Sequence, residues 1–262
     1  MKRRWQHERT PQNFAVYFHA LWGCFNSIRG CGVMDLVKVW DKEIKGKLYA
    51  VGDIHGCYNL LMNRLNEIAF DFENDLLVAV GDLVDRGTQN VKCIELLSKP
   101  WFTSVRGNHE DLCIWGRCDV PSKRCHISNG GEWFYELSVE DQFQIAKTFS
   151  ALPIALEVSH LGKKYGFVHG HIEQNNWDEF KQVLTNPFSK KIDGRSPIDL
   201  AIWGRDRLNE EKKQYTHVFG VDAVIMGHTV TQKPCKRDNC YWIDTGAVHW
   251  GTLTILNLSE VV

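Results

Sequence analysis

Six polar residues that could bind metal ions follow short apolar segments of this sequence: Asp53, His55, Asp82, Asn108, His169 and His228. Taken singly, each has an ordinary interpretation, because an Asp after Gly is usually a turn former or helix cap and a lone histidine is more often structural. Gathered at one sheet edge, however, they would leave polar groups unpaired unless they bound something. Such mixed oxygen and nitrogen ligands suit Mn, Fe or Zn better than Ca or Mg.

The spacing of these residues predicts a site for two ions. Asp53 and His55 are two positions apart and can bind one ion across a bend, while Asp82 is placed to bridge two. Glycines at 52, 81 and 107 let the backbone turn sharply there. The remaining ligands of the second ion would be Asn108, His169 and His228.

Two metal ions are well suited to the hydrolysis of a phosphate ester, which requires up to ~10²¹-fold acceleration. Two divalent ions carry four positive charges, of which Asp53 and Asp82 neutralise two, so the remainder attracts an anionic phosphoryl group. Ions roughly 3.5–4 Å apart can share a water, lower its pKa and hold it in line with the phosphorus. The sequence therefore predicts direct attack by a metal-activated water.

Arginines and a histidine in the same turns supply the other parts of this chemistry. Arg86, Arg106 and Arg205 form a predicted clamp, because the guanidinium fork matches phosphate oxygens. For Arg207 we expect a surface salt bridge instead. His109 is the natural general acid for the leaving alkoxide, and Asp85 is predicted to orient it, with the proton worth ~10²–10⁴ in turnover.

The elements that must position these residues are short strands alternating with helices. Apolar runs at 47–51, 76–80 and 102–106 each precede a polar turn and a helical pattern, which predicts βαβ units. Active crevices of such sheets lie beyond the carboxyl ends of the strands. Segments 152–158 and 163–169 predict a hairpin, and further strands are expected within 222–228, 240–246 and 251–258. The charged run 205–214 predicts a solvated surface. The fold class is α/β (α+β by some schemes), as one continuous sandwich.

Composition excludes several other classes. The 262 residues are 44% hydrophobic and 24% charged, as in ordinary globular proteins, and the net charge of −1 gives nucleic acid or a membrane surface no electrostatic support. No apolar run approaches the ~18 residues of a membrane helix. Nine scattered cysteines favour a reducing compartment, hence the cytoplasm, and the pairs Cys118/Cys125 and Cys235/Cys240 lack the usual zinc spacing.

The first 33 residues are predicted to be an extension outside the domain. Lys2, Arg3 and Arg4 precede a weak apolar stretch at 14–25, but no clean cleavage site follows, which disfavours a signal peptide. Met34 begins a segment typical of a natural chain start. We therefore expect a poorly packed extension over 1–33 and a single domain over 34–262.

The motifs GDIHG, GDLVDRG and GNHE together resemble the phosphoprotein phosphatase (PPP) branch of the metallophosphoesterases, and most of all its compact bacterial and phage-lambda-type serine/threonine phosphatases. The similarity continues through NGGEWF, KYGFVHG and MGHT, from about Leu48 to Leu258. It implies a calcineurin-like β-sandwich flanked by helices, commonly activated by manganese, acting on phosphorylated proteins or peptides. It also implies a first metal on Asp53, His55 and Asp82, a second on Asp82, Asn108, His169 and His228, and the acid pair His109 and Asp85.

Some alternatives stay open. The segment HGHIEQNN departs from the phage-type pattern, so His171 competes with His169, which we prefer because it directly follows a strand. The nearest rival activity is dinucleoside-tetraphosphate hydrolysis, in whose branch the second motif reads VARG and the third ends GNHD. A nuclease and a non-catalytic phosphopeptide-binding module are weaker options, and phosphotyrosine is a further possible substrate. Three tryptophans are expected in the core rather than in a substrate groove: Trp133, Trp203 and Trp250.

Overall fold

The computed structural model describes residues 35–209 and 214–260, all within the unit Met34–Val262. Our expectations for the extension at 1–33 and for a chain start at Met34 lie outside these residues. The prediction of one domain over 34–262 stays a prediction.

A four-stranded sheet carries the predicted βαβ units. Strands β2, β3 and β4 pair in parallel, and β10 pairs antiparallel with β2 at the edge. Helix α1 connects β2 to β3, and helix α2 connects β3 to β4, which confirms the units expected from the sequence. The bounds are β2 Leu48–Val51, α1 Tyr58–Glu67, β3 Leu76–Ala79, α2 Asn90–Glu95, β4 Phe102–Ser104 and β10 Ile255–Asn257.

A six-stranded sheet of mixed direction has the order β1-β5-β6-β7-β9-β8. Strands β5 and β6 form the predicted hairpin, with Ala155 opposite Val168 and His160 opposite Lys163. Strands β6, β7 and β9 run in parallel, so their carboxyl ends meet at one edge. The bounds are β1 Val37–Val39, β5 Ala155–His160, β6 Lys163–Val168, β7 Ala223–Met226, β8 Cys235–Arg237 and β9 Cys240–Trp242.

The remaining helices lie in the chain between β4 and β5, between β6 and β7, and between β9 and β10. Side-chain caps fix several starts: Asn176 accepts from the amide of Glu179, and Ser196 forms a capping box with Asp199. The bounds are α3 Asn108–Trp115, α4 Val120–Ser128, α5 Glu132–Glu136, α6 Val139–Ser150, α7 Trp177–Thr185, α8 Pro197–Trp203, α9 Asp206–Asn209 and α10 Ala247–Trp250.

The central core lies between the sheets. Leu48 and Ala50 of β2 pack there with Leu156 and Phe167 of the other sheet. Because side chains alternate along a strand, the next residues of β2 face the helices, where Val51 packs in a second cluster. The strand is therefore buried on both faces, which explains its continuous apolar sequence. A mixed α/β sandwich flanked by helices is confirmed.

Two further observations concern the described part of the chain. None of its helices combines the length and the apolar character needed to cross a bilayer. No disulfide joins two of its seven cysteines, which are Cys57, Cys93, Cys113, Cys118, Cys125, Cys235 and Cys240.

Candidate metal and catalytic site

The six predicted ligands lie where strands of both sheets end, and all are buried, with 6% or less of each residue exposed. The four-stranded sheet supplies four of them and the six-stranded sheet supplies two. In chain order they are Asp53 and His55 after β2, Asp82 after β3, Asn108 after β4, His169 after β6 and His228 after β7.

Each of the three histidines has one ring nitrogen against a backbone carbonyl. His55 Nδ1 lies 2.8 Å from the oxygen of Val84, and His169 Nδ1 lies 2.7 Å from that of Val80. His228 Nε2 lies 3.2 Å from the oxygen of Trp203. A nitrogen that donates to a carbonyl leaves the other nitrogen with its lone pair, so these contacts orient the rings as metal-ligating histidines are oriented.

Asp82 lies at the centre of the cluster. Its Oδ2 is 3.3 Å from His169 Nε2 and 3.7 Å from His55 Nε2. Possible ligand atoms of Asp82, His169 and His228 all lie within 4.8 Å of one another, and so do those of His55, Asp82 and His109. Asp82 belongs to both groups, which is the arrangement expected of a residue that bridges two ions.

Asn108 joins the second group through its amide oxygen, which lies 3.0 Å from His169 Nε2. Burial by itself would lower the pKa of His169, but the Asp82 carboxylate raises it above the usual value, so Asn108, Asp82 and His169 converge on a point that favours positive charge. A cation stabilises such an arrangement. The donor set of carboxylate, amide oxygen and imidazole therefore fits divalent transition metals.

Asp53 lies beside this cluster with its carboxylate turned to the backbone amide of His228, at 3.0 and 3.2 Å. Burial raises the pKa of Asp53 well above its usual range, and the carboxylates of Asp244 and Asp82 raise it further. Asp244 is not among the predicted ligands, although it is buried and also follows an apolar strand, β9. The accumulation of carboxylates at this point again favours a cationic occupant.

The electrostatics keep two of the histidines neutral, which is the ligand form of imidazole. Burial, followed by the nearby His109, lowers the pKa of His55 to about 3. Burial and then His169 lower the pKa of His228 well below its usual range. For Asp82, burial alone would raise the pKa, but the neighbouring His169 and His109 hold it well below the usual value.

The backbone is strained at many of these positions. Nine described residues other than glycine have positive φ, and five of them are candidate site residues. Left-handed conformations cost a non-glycine residue of order 1–3 kcal/mol and cluster at functional sites. The five are His55 (φ 45°), Asp82 (52°), Asp85 (73°), Arg86 (68°) and His228 (64°).

His109 and Asp85 form a buried pair beside the cluster. His109 Nδ1 lies 2.6 Å from Asp85 Oδ2. Burial by itself would raise the pKa of Asp85, but hydrogen bonds from His109 and His126 lower it to about 2, so the group is a carboxylate. His109 Nε2 has no hydrogen-bond partner among the described residues and lies 3.9 Å from Asp82 Oδ2, facing the cluster.

Two of the three predicted clamp arginines reach the cluster. Arg86 Nη1 lies 2.6 Å from His55 Nε2, and Arg205 Nη2 donates to the carbonyl of His228 at 3.4 Å. Burial lowers the pKa of Arg205, while the carboxylates of Asp82 and Asp53 oppose this shift.

Arg106 is buried elsewhere, with Nη2 donating to the carbonyls of Ser150 and Leu152 at 2.7 and 3.1 Å. Its part in the clamp stays a prediction. Arg207 corrects our expectation of a surface salt bridge, because it is 4% exposed and donates to backbone oxygens of Ile172, Gln174 and Thr216. Within the charged run, Arg207 and Leu208 are buried whereas Arg205 and Asn209 are exposed, so our expectation of a solvated surface is wrong at 207 and 208.

The structure brings His169 rather than His171 into the cluster, because His171 Nε2 is bound to Glu173 at 2.9 Å.

The three tryptophans differ in their surroundings. Trp133 donates from Nε1 to Asp85 Oδ1 at 2.7 Å, and Trp203 is half-buried with its ring against that of His228. Trp250 is 59% exposed, so our expectation of core packing is wrong for it.

Glu110, at the end of GNHE, supports the turn that carries Asp82. Its carboxylate accepts backbone hydrogen bonds from Asp82 and Gly107 through Oε2 and from Leu83 through Oε1, all at 2.8–2.9 Å. Burial, followed by the Asp82 carboxylate, raises the pKa of Glu110 to about 7. In the sequence Glu110 is recognisable only as the last residue of GNHE, and its role as a structural support becomes visible in the fold.

Comparison with known proteins gives consistent matches. A family model described as "Calcineurin-like phosphoesterase" matches residues 46–232. Serine/threonine-protein phosphatase 1 of Salmonella typhimurium is 35% identical over 80% of this chain and 91% of its own length. A symmetrical bis(5'-nucleosyl)-tetraphosphatase of Ectopseudomonas mendocina is 43% identical over 81% of this chain and 95% of its own. The crystal structure of a cold-active protein-tyrosine phosphatase of a Shewanella species superposes with a TM-score of 0.54, at 15% identity, covering 88% and 79% of the two chains.

Proposed function

The chain belongs to the calcineurin-like phosphoesterase family, and from this membership we propose that it is a metal-dependent serine/threonine-protein phosphatase. Its substrates are phosphorylated proteins or peptides, and the reaction is hydrolysis of a phosphate monoester. The relatives named serine/threonine-protein phosphatase support this substrate class.

One observation carries the choice of substrate: the buried pair of Asp85 and His109, with His109 Nε2 facing the cluster. A serine or threonine alkoxide is a poor leaving group and needs a proton as the ester bond breaks. A nucleotide released from a dinucleoside tetraphosphate leaves as a phosphate anion, which is stable without one. An oriented histidine acid is therefore expected in an enzyme that releases an alcohol.

The proposed roles follow from the geometry. One cation would be held by Asp53, His55 and Asp82, and a second by Asp82 with Asn108, His169 and His228. When bound, the two ions supply positive charge for the phosphoryl group and lower the pKa of a water.

The other residues of the chain bind the substrate and move a proton. Arg86 and Arg205 donate to phosphate oxygens in this proposal, which their contacts with His55 and His228 support. Arg106 is the third proposed member, and its guanidinium would have to turn from its carbonyl partners. His109 Nε2 gives its proton to the leaving oxygen, while Asp85 holds the ring through Nδ1.

Three finer points belong to this proposal. Manganese is the proposed metal, since the oxygen and imidazole donors suit it, with iron or zinc as substitutes. Phosphotyrosine is a further proposed substrate. The proposed compartment is the cytoplasm, supported by the finding that no disulfide joins two of the seven described cysteines.

Symmetrical dinucleoside-tetraphosphate hydrolysis is the second candidate, favoured by the relative of that name at 43% identity. The two are separated by rates on a phosphoseryl peptide and on diadenosine tetraphosphate, measured with Mn²⁺ and again after EDTA. We expect faster, EDTA-sensitive hydrolysis of the peptide. A clear preference for the dinucleotide would support the second candidate, and no turnover of either would support a binding module.

Two variants test the residue roles in the same assay. His109→Asn should lower turnover of the phosphoseryl peptide by ~10²–10⁴. Asp82→Asn should also lower it strongly, because it removes the bridging carboxylate. Circular dichroism should show that both variants are folded. Wild-type rates in both would contradict the assignment.

A further inference from the structure

His126 is a fully buried histidine that the proposed mechanism leaves without a task. It lies on α4, far along the chain from the motif that contains Asp85, yet its Nε2 is 3.0 Å from Asp85 Oδ2 and 3.1 Å from Oδ1. The same Oδ2 atom accepts from His109 Nδ1 at 2.6 Å. One carboxylate thus joins two buried histidines.

The carboxylate of Asp85 fixes which nitrogen of His126 carries the hydrogen, because an ionised carboxylate can only accept. The hydrogen of neutral His126 is therefore on Nε2, and Nδ1 is left as an acceptor. His126 Nδ1 lies 3.0 Å from the hydroxyl of Tyr135, which donates to it. Burial raises the pKa of Tyr135, so the hydroxyl keeps its proton. Tyr135, His126, Asp85 and His109 form a continuous chain of hydrogen bonds.

The glycines of the NGGEWF segment and its surroundings shape this arrangement. A Cβ on Gly131 would lie 2.0 Å from Cδ2 of the His126 ring, and one on Gly116 would lie 2.1 Å from the Tyr135 hydroxyl. Both partners are therefore held in close contact with the backbone. Trp133 of the same segment donates to Asp85 Oδ1 at 2.7 Å.

Cys113 raises the question of whether this cluster binds a metal instead, because ligand atoms of Asp85, Cys113 and His126 lie within 4.8 Å of one another. Burial raises the pKa of the Cys113 thiol well above its usual value, and the Asp85 carboxylate raises it further. A thiol that keeps its proton is a poor ligand, and both Asp85 oxygens already accept hydrogen bonds. A role of His126 in positioning Asp85 therefore explains this cluster better than a metal site does.

We propose that His126, backed by Tyr135, is a positioning residue that fixes the carboxylate of Asp85 and thereby aims His109 Nε2 at the leaving oxygen. This inference rests on the proposed phosphatase function. The hydrogen bonds of the His126 side chain within the described residues reach Asp85, Cys113 and Tyr135 and none of the proposed metal ligands, so we expect its loss to act through Asp85 and His109.

The test exploits the difference between two leaving groups. An alkoxide from a phosphoseryl peptide needs the proton of His109, whereas the phenolate from p-nitrophenyl phosphate leaves without one. His126→Leu, which removes the donor, should lower kcat on the peptide about 10- to 100-fold, a part of the ~10²–10⁴ of the acid itself. It should lower kcat on the aryl phosphate less than about 3-fold, with both KM values and the bound metal unchanged.

Two conservative variants and one control complete the design. In His126→Gln the side-chain amide can donate where Nε2 does, so most of the peptide activity should return. Tyr135→Phe removes only the hydroxyl and should reduce kcat on the peptide selectively, which keeps the test available if His126→Leu does not fold. His160→Leu makes the same change at another buried histidine, whose Nε2 has no described partner, and should leave the ratio of the two rates as in the wild type.

The possible results distinguish a failure of the positioning role of His126 from a failure of the proposed phosphatase function. Equal losses on both substrates, loss of metal, or an unchanged rate ratio in His126→Leu and Tyr135→Phe would overturn the positioning role while the wild type remains a phosphatase. A wild-type protein without activity on the phosphoseryl peptide would overturn the proposed function itself.

Discussion

Gly107 offers a sharp test of how closely the turn backbone must approach Asp82. A Cβ at this position would lie 2.2 Å from Asp82 Oδ1 and 2.5 Å from the Asp82 amide nitrogen. Ordinary contact begins near 3.4 Å, so Gly107→Ala has to displace the carboxylate by about 1.2 Å. The φ of −92° and ψ of 177° at Gly107 suit alanine, so the backbone itself adds no strain.

The expected effect is a large loss of activity with a small loss of stability. Overpacking costs about 1–3 kcal/mol, and the stiffer unfolded chain returns about 0.4–1 kcal/mol. At about 2–4 °C per kcal/mol for a domain of this size, the melting temperature should fall by no more than about 10 °C. A misplacement of about 1 Å at a reacting centre costs about 10²-fold in rate.

The assay is kcat on p-nitrophenyl phosphate at saturating Mn²⁺, together with metal content and thermal unfolding. Gly162→Ala is the matched control, because its φ of +76° costs an alanine about 1–2 kcal/mol but no atom lies within 4 Å of the new Cβ. It should lose similar stability and keep its turnover. Wild-type turnover and metal content in Gly107→Ala would refute the claimed role of this close approach.

Two further predictions concern stability. Chelation of metal should lower the melting temperature by about 5–11 °C, since a ligand present at 100 times its Kd contributes about 2.7 kcal/mol to the free energy of unfolding. Identical unfolding curves with Mn²⁺ and with EDTA would contradict a metal site shared by both sheets. Glu157 is buried and accepts from Lys181 and Trp177. Burial would raise its pKa, but these partners hold it below the usual 4.5, so its contribution is present above pH 4.5 and is lost as the pH falls below that. Glu157→Gln should therefore lower the free energy of unfolding by about 1.5–3 kcal/mol at pH 7 and by less near pH 3, measured by denaturant unfolding at the two pH values. An equal loss of stability at both pH values would contradict the reasoning.

Much of the fold was predictable because local patterns and global topology agree. The apolar runs before Asp53 and Asp82 are buried parallel strands, and the polar residues after them meet at one edge, as the rule for open sheets requires. The choice of His169 over His171 followed from the same rule, since only His169 directly follows a strand.

What the sequence could not supply are contacts between segments that no local pattern connects. Arg106 resembles a phosphate ligand in its motif, but the carbonyls at the end of α6 that hold it are set by tertiary packing. Arg207 sits in a charged run, which conceals its burial. His126 follows no strand and belongs to no recognised ligand pattern, so only the fold reveals its contact with Asp85. Asp244 alone carried a usable signal.

The left-handed backbone at the five candidate site residues has a consequence for laboratory evolution. At each of these positions glycine would relieve the backbone strain, yet it would delete the side chain that does the chemistry, and at Asp85 it would leave buried donors without their acceptor. A library screened for activity should therefore keep a residue other than glycine at 55, 82, 85, 86 and 228 in spite of its conformational cost.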